Sequence, residues 1–115
     1  MEKDLKYGVL LDIYGGLLTE RQVEALDYYY NRDYSLAEIS ELMDITRQGV
    51  RDFIKRGEAV LDDAEGRLGL HSSFKRLDAI RLWATQILEN SKDENINLLA
   101  ERIIKEADQI QNGEK

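Results

Sequence analysis

Apolar residues along this chain recur at spacings of three and four and nowhere alternate with polar ones over the length of a strand. That period predicts helices throughout. Six are expected: about 4–14, 20–32, 36–43, 47–68, 73–89 and 93–111. Starts are marked by capping boxes, in which a hydroxyl accepts from the third amide and an acid or amide side chain reaches back. Thr19 with Gln22 is one, Ser35 with Glu38 a second, and Ser91 with Glu94 a third. The first helix ends at Gly15-Gly16, and His71-Ser72-Ser73 is the expected joint between an N-terminal half, 1–70, and a C-terminal helical hairpin, 71–115.

Each helix also predicts a buried stripe. The first offers Leu5, Val9, Leu10 and Ile13, the second Val23, Leu26 and Tyr30, and the third Leu36, Ile39 and Leu42 or Met43. On the fourth, at 100° per residue, Val50, Ile54, Gly57 and Leu61 fall together with Phe53 at the margin. The opposite face holds Gln48, Arg51, Asp52 and Lys55, flanked by Arg47 and Arg56. A short helix, a connection of a few residues and a longer helix capped by Thr46 form the pattern of a helix-turn-helix, whose second helix lies in the major groove.

Charge sharpens that reading. The chain carries 16 Lys and Arg against 23 Asp and Glu, a net charge of −7 that repels nucleic acid and acidic membranes. The sign is not uniform. Residues 47–57 hold Arg47, Arg51, Lys55 and Arg56 against Asp52 alone, between flanks rich in acids: Glu38, Glu41 and Asp44 before, Glu58, Asp62, Asp63 and Glu65 after. Arginine forks suit guanine and glutamine suits adenine, so Arg47, Gln48 and Arg51 are placed near base edges, Lys55 and Arg56 on phosphates. Asp52 opposes this, because a carboxylate there repels phosphate. The same face also suits a solvated helix surface laced by pairs three and four apart.

Composition closes off other classes. With 115 residues, 43% apolar and 34% charged, the chain is long enough for one well-buried core and too apolar for a disordered acidic tail. It has no cysteine and one histidine, His71, which removes disulfides, thiolate zinc sites and multi-histidine metal centres. No cofactor or metal is expected. Asp62-Asp63 and Glu65 diverge on a helix and lack the calcium-loop pattern, and Gly66 and Gly69 follow a helix where a phosphate cradle would follow a strand. No convergent nucleophile, base and oxyanion donors stand out, so no enzyme is expected. No apolar run approaches the ~20 residues that span a bilayer, and the start MEKDLKYG has no signal-peptide layout, so the expected location is cytoplasmic.

The stretch from Leu17 to Arg56 resembles region 4 of bacterial sigma factors, an all-α helix-turn-helix unrelated to the winged-helix type. It is more similar to the small YlxM-type proteins in LLDIYGGLLTERQ (10–22), the segment 29–40 and TRQGVRDFIKRGEAVLDDAE (46–65). At the turn where sigma factors usually have glycine this chain has Asp44, a residue that tolerates the left-handed conformation. At 49, where the YlxM-type pattern usually has alanine, it has Gly49. The resemblance implies a regulatory helix-turn-helix protein acting on double-stranded DNA through Thr46, Arg47, Gln48, Arg51, Lys55 and Arg56. By gene neighbourhood it also implies a link to the signal recognition particle pathway, which leaves an adaptor contacting protein or RNA as the alternative.

Two further features stay open at this level. Tyr28, Tyr29, Tyr30 and Tyr34 suit either core packing or stacking on bases. In the hairpin, Leu77, Ile80, Ala84 and Ile87 repeat by three and four, widened by Trp83 and Leu88, and Ile96, Leu99, Ile103, Ala107 and Ile110 do the same on the last helix. These stripes suit burial on each other and on the first helix, or a homodimer contact, since two-fold DNA readers need one.

Overall fold

Helices begin where side chains can receive the orphan amides of a first turn. The structure, a computed structural model, describes residues 3–113, and among these it contains six α-helices and no strand. They are α1 (Lys6–Tyr14), α2 (Glu20–Leu26), α3 (Leu36–Met43), α4 (Arg47–Leu68), α5 (Leu70–Asn90) and α6 (Glu94–Gln111). A 3₁₀ turn, Gly15–Leu17, follows α1, and a wider π-type turn, Asp27–Asn31, prolongs α2. The Thr19 and Ser35 capping boxes both form, each hydroxyl accepting from the third amide while Gln22 or Glu38 reaches back. The third box does not. Asp93 caps α6 itself, its carboxylate accepting from Asn95 N at 2.9 Å and Ile96 N at 3.2 Å, because an acid beside the helix dipole outcompetes the more distant Ser91.

The break between α4 and α5 lies at Gly69, which takes a left-handed φ of 62° and ends α4. Glycine adopts that conformation without steric cost, and α5 starts one residue later. The first amides of α5 find side-chain acceptors: Leu70 N donates to Tyr14 Oη at 3.0 Å and His71 N to Glu65 Oε1 at 3.0 Å. Segment 71–73 is therefore helical.

The chain divides into two compact units, 1–71 and 72–115. In the first, α4 packs against α1, α2 and α3. Leu26, Ile39, Val50 and Leu61 are fully buried at the centre, surrounded by Leu10, Leu11, Tyr14, Tyr29, Met43 and Ile54. The α4 stripe expected from periodicity is the buried one, extended by Ala64. Its tightest point is Gly57: a Cβ built there would stand 2.5 Å from Leu26 Cδ1.

Two stripes are corrected. At α1, Leu10 is buried and Ile13 packs against the core as expected, but Leu5 just before the helix and Val9 on it are exposed, and Leu11 and Tyr14 are buried in their place. The helix has apolar residues on two sides, and the hydroxyls of Tyr7 and Tyr14, bonded to α4, select between them. On α2, Ala25 and Tyr29 are buried beside Leu26, whereas Val23 and Tyr30 are only partly so. The π-type turn adds a residue to the last turn and rotates Tyr29 into the core. Lys3 then closes the end of this segment, its Nζ donating to Tyr29 O, Tyr34 O and Asp33 Oδ1 within 3.0 Å, above the Tyr29 ring. The tyrosines are core and not a stacking platform; Tyr28 and Tyr34 stack on each other with centroids 5.6 Å apart.

The second unit consists of the remainder of α5 and all of α6. Its buried side chains are Ala84, Ala100 and Ala107. Arg81 Nε lies 2.9 Å from Asp108 Oδ1, close enough for an ion pair though not aligned as a hydrogen bond.

Replacing Gly57 by alanine is expected to destabilise the protein. Alanine gains about 1 kcal/mol of helix propensity, but the clash with buried Leu26 costs about 1–3 kcal/mol. Urea denaturation of Gly57→Ala checks the sign, and Gly66→Ala, with open space around its Cβ, is the control that gains stability.

Candidate nucleic-acid interface

The outer face of α4 is presented by the way α3 ends. Asp44 adopts the left-handed conformation at φ 54°, ψ 48°, and Ile45 N returns to Ser40 O at 3.1 Å. This is the closure a helix makes when its last carbonyls are recaptured across a left-handed residue. Asp44 thus performs the glycine's task at the turn. From α2, Arg21 donates to Met43 O at 3.2 Å and lies over the Phe53 ring at 5.8 Å. It joins the end of α3 to the flank of α4 and so fixes the turn from outside. Nothing in the apolar periodicity marks Arg21, which stands within a capping box as one more charged residue. Thr46 then starts α4, its Oγ1 accepting from Gly49 N at 3.0 Å.

From this start Arg47, Gln48, Arg51, Asp52, Lys55 and Arg56 are all exposed, together with Thr46. All six residues singled out from sequence are therefore exposed along the first half of α4 and its cap. Among the described residues, no ion pair engages Arg47, Arg51, Lys55 or Arg56. The expected lacing by neighbours is absent from these four, and their charge faces solvent. Gln48 differs. Its Nε2 donates to Asp52 Oδ1 at 3.1 Å, so the amide that would read a base is held by the one carboxylate on the face. Pairing bidentately with adenine requires Gln48 to release Asp52.

The other half of α4 is acidic, and its acids are occupied. Glu58 accepts from Tyr30 Oη, Asp62 Oδ2 from Tyr7 Oη at 2.8 Å, and Glu65 Oε1 from Tyr14 Oη at 2.7 Å. Positions 58, 62 and 65 form one helical stripe, so α1 and α2 grip α4 through a ladder of phenols and carboxylates. Burial, then the hydrogen bond and charge of Asp62, push the Tyr7 phenol up to about 12 from 10.0. Burial and the bonds to Glu65 and Glu58 likewise raise Tyr14 and Tyr30. Asp63 is bonded separately to Arg67 at 3.0 Å, so the acids around 62–65 serve different partners and do not converge on a cation. No helix among the described residues is long and apolar enough to cross a membrane.

A short helix, a three-residue connection and a capped helix with a cationic outer face define a helix-turn-helix protein. The chain belongs to the UPF0122 family, whose model, described as "Putative helix-turn-helix protein, YlxM / p13 like", matches residues 1–106. A UPF0122 protein of Acetivibrio thermocellus is 47% identical over 100 residues, covering 87% of this chain and 83% of its own length. One from Thermoanaerobacter sp. strain X514 is 42% identical over 115 residues, covering 96% of this chain and 98% of its own. The family expected from the motifs is thus the family found, and it is one of helix-turn-helix proteins and not of enzymes.

The ladder predicts alkaline sensitivity. A phenol whose pKa is raised on folding stabilises the fold fully below its unfolded value and loses that contribution as pH rises through the folded one. Stability is therefore expected to fall between pH 10.0 and about 12 for Tyr7. Ultraviolet titration of phenolate checks this: part of the tyrosine absorbance rises late, and Tyr7→Phe removes a share of that late rise.

Proposed function

We propose that this protein is a non-enzymatic regulator that binds double-stranded DNA in the cytoplasm, with α4 in the major groove. The observation that carries the reading is the exposed ridge Arg47, Arg51, Lys55 and Arg56 on the second helix of a helix-turn-helix, unpaired with acids among the described residues. Arg47 and Arg51 reach base edges, Gln48 joins them once Asp52 is released, and Lys55 and Arg56 contact phosphates. The Thr46 end of α4 adds an amide-rich terminus to a neighbouring phosphate. In this reading 1–70 is the DNA-binding domain, and 71–115 pairs two copies on a two-fold site.

One observation favours a second reading. The net charge of −7 suits a protein partner, and a helix-turn-helix acting as an adaptor toward a protein or RNA of the signal recognition particle pathway fits an acidic body.

Binding of random duplex, followed by fluorescence anisotropy at two salt concentrations, separates them. DNA binding through the ridge gives a steep salt dependence, and replacing the phosphate-contacting Lys55 and Arg56 with alanine flattens the slope by about 1 for each phosphate no longer neutralised. Both side chains are exposed, so the double variant is expected to keep its fold. No binding at low salt, with a partner still captured from cytoplasm after nuclease treatment, overturns the DNA reading in favour of the adaptor.

A further inference from the structure

The second unit is short of buried apolar side chains. Ala84, Ala100 and Ala107 are its fully buried residues among those described, and an alanine methyl contributes far less than a fully buried leucine or isoleucine. Phe74, Leu77, Leu88 and Ile104 are partly buried, and most of the other large residues face outward. On α6, Ile96, Leu99, Ile103 and Ile110 are 47%, 57%, 44% and 59% exposed, and on α5, Ile80, Trp83 and Ile87 are 38%, 61% and 40% exposed. Both sets follow spacings of three and four. They form a second seam on each helix, offset by about one residue from the seam that holds the alanines. Between the helices runs an apolar groove of about 480 Å³, lined by Leu77, Ile80, Leu99, Ile103 and Ile110.

We propose that a second copy of this chain covers this groove, two α5–α6 hairpins packing face to face about a two-fold axis as a four-helix bundle. This rests on the reading that the protein acts in pairs and names the surface that pairs it; it does not require that the ligand be DNA. Two seams per helix, one toward each neighbour, is the arrangement a four-helix bundle uses and an isolated hairpin does not need. The shortage of core is permanent, so its remedy must be present whenever the chain is, and a second copy meets that condition in equal amount. Charge supplies the third argument. Arg102 and Glu106 line the same groove one turn apart, and among the described residues neither takes part in an ion pair. An antiparallel crossing of two α6 helices near Ile103 sets each Arg102 opposite Glu106 of the other copy, giving two equivalent pairs as an isologous interface requires.

Sedimentation of the full chain without nucleic acid tests this. The expected mass is twice 13.3 kDa, and Trp83, the one tryptophan, is expected to shift its emission to the red on dilution as the pair separates. Ile103→Glu is expected to abolish the pair. Because that variant also risks unfolding the hairpin, the decisive measurement uses exposed charges: Arg102→Glu weakens dimerisation about 10-fold through two like-charge contacts, and adding Glu106→Arg restores it. A monomer at the highest soluble concentration overturns the proposal, whether its Trp83 emission is red or blue; so does a dimer indifferent to both charge variants. A dimer that binds no duplex leaves this inference standing and removes the DNA reading, whereas a monomer that binds duplex does the reverse.

Discussion

The N-terminal unit is organised by how closely α4 approaches α2. Gly57 leaves no side chain between the helix backbone and Leu26, and the gap is too small for even a methyl group. Val50, Ile54, Leu61 and Ala64 continue the same buried line in both directions, so α4 is seated along its length and not held at its end. Side chains on the outer face of a helix hold a fixed geometry only if its inner side cannot slide or roll.

Electrostatics divides α4 as sharply as packing does. The sign change along its sequence, basic before Gly57 and acidic after, corresponds to two different tasks. The acids at 58, 62 and 65 accept from Tyr30, Tyr7 and Tyr14, bonds internal to the unit that fix the rotation of α4 against α1 and α2. The bases have no such partners among the described residues and keep their charge for solvent. A net negative protein thus retains a local cationic surface because its nearest carboxylates are held by phenols on another side of the same helix. The exception is Asp52, which sits on the basic face and holds Gln48.

The two units use apolar residues in opposite ways. In the first, large side chains such as Leu26, Ile39 and Leu61 are inside. In the second, Ala84, Ala100 and Ala107 are fully inside, Leu77, Leu88 and Ile104 are partly buried, and most other isoleucines, leucines and the tryptophan lie at the surface. Small residues at one seam and large ones at the next leave the second face of the hairpin apolar and exposed, the face that the proposed pairing would cover.

Much of this protein was written in local chemistry. Spacing of apolar residues located every α-helix, the Thr19 and Ser35 boxes set two starts, and the line Val50, Ile54, Gly57, Leu61 identified the inner side of α4 and hence its basic outer side. These are legible because a helix, its caps and its phase depend on residues within a few positions of one another. What the sequence left undecided were choices between equivalent local options. Leu5 and Val9 are as apolar as Leu11, and the bonds of Tyr7 and Tyr14 to acids more than fifty residues away accompany a rotation of α1 that buries Leu11 and Tyr14 beside the expected Leu10. The fifth helix starts at Leu70 and not near 73 because Tyr14 and Glu65 meet its first amides, and Arg21 and Lys3 gained their roles from carbonyls brought near by folding. Hydrogen bonds between distant side chains leave no periodic trace in a sequence, and here they made each of those decisions.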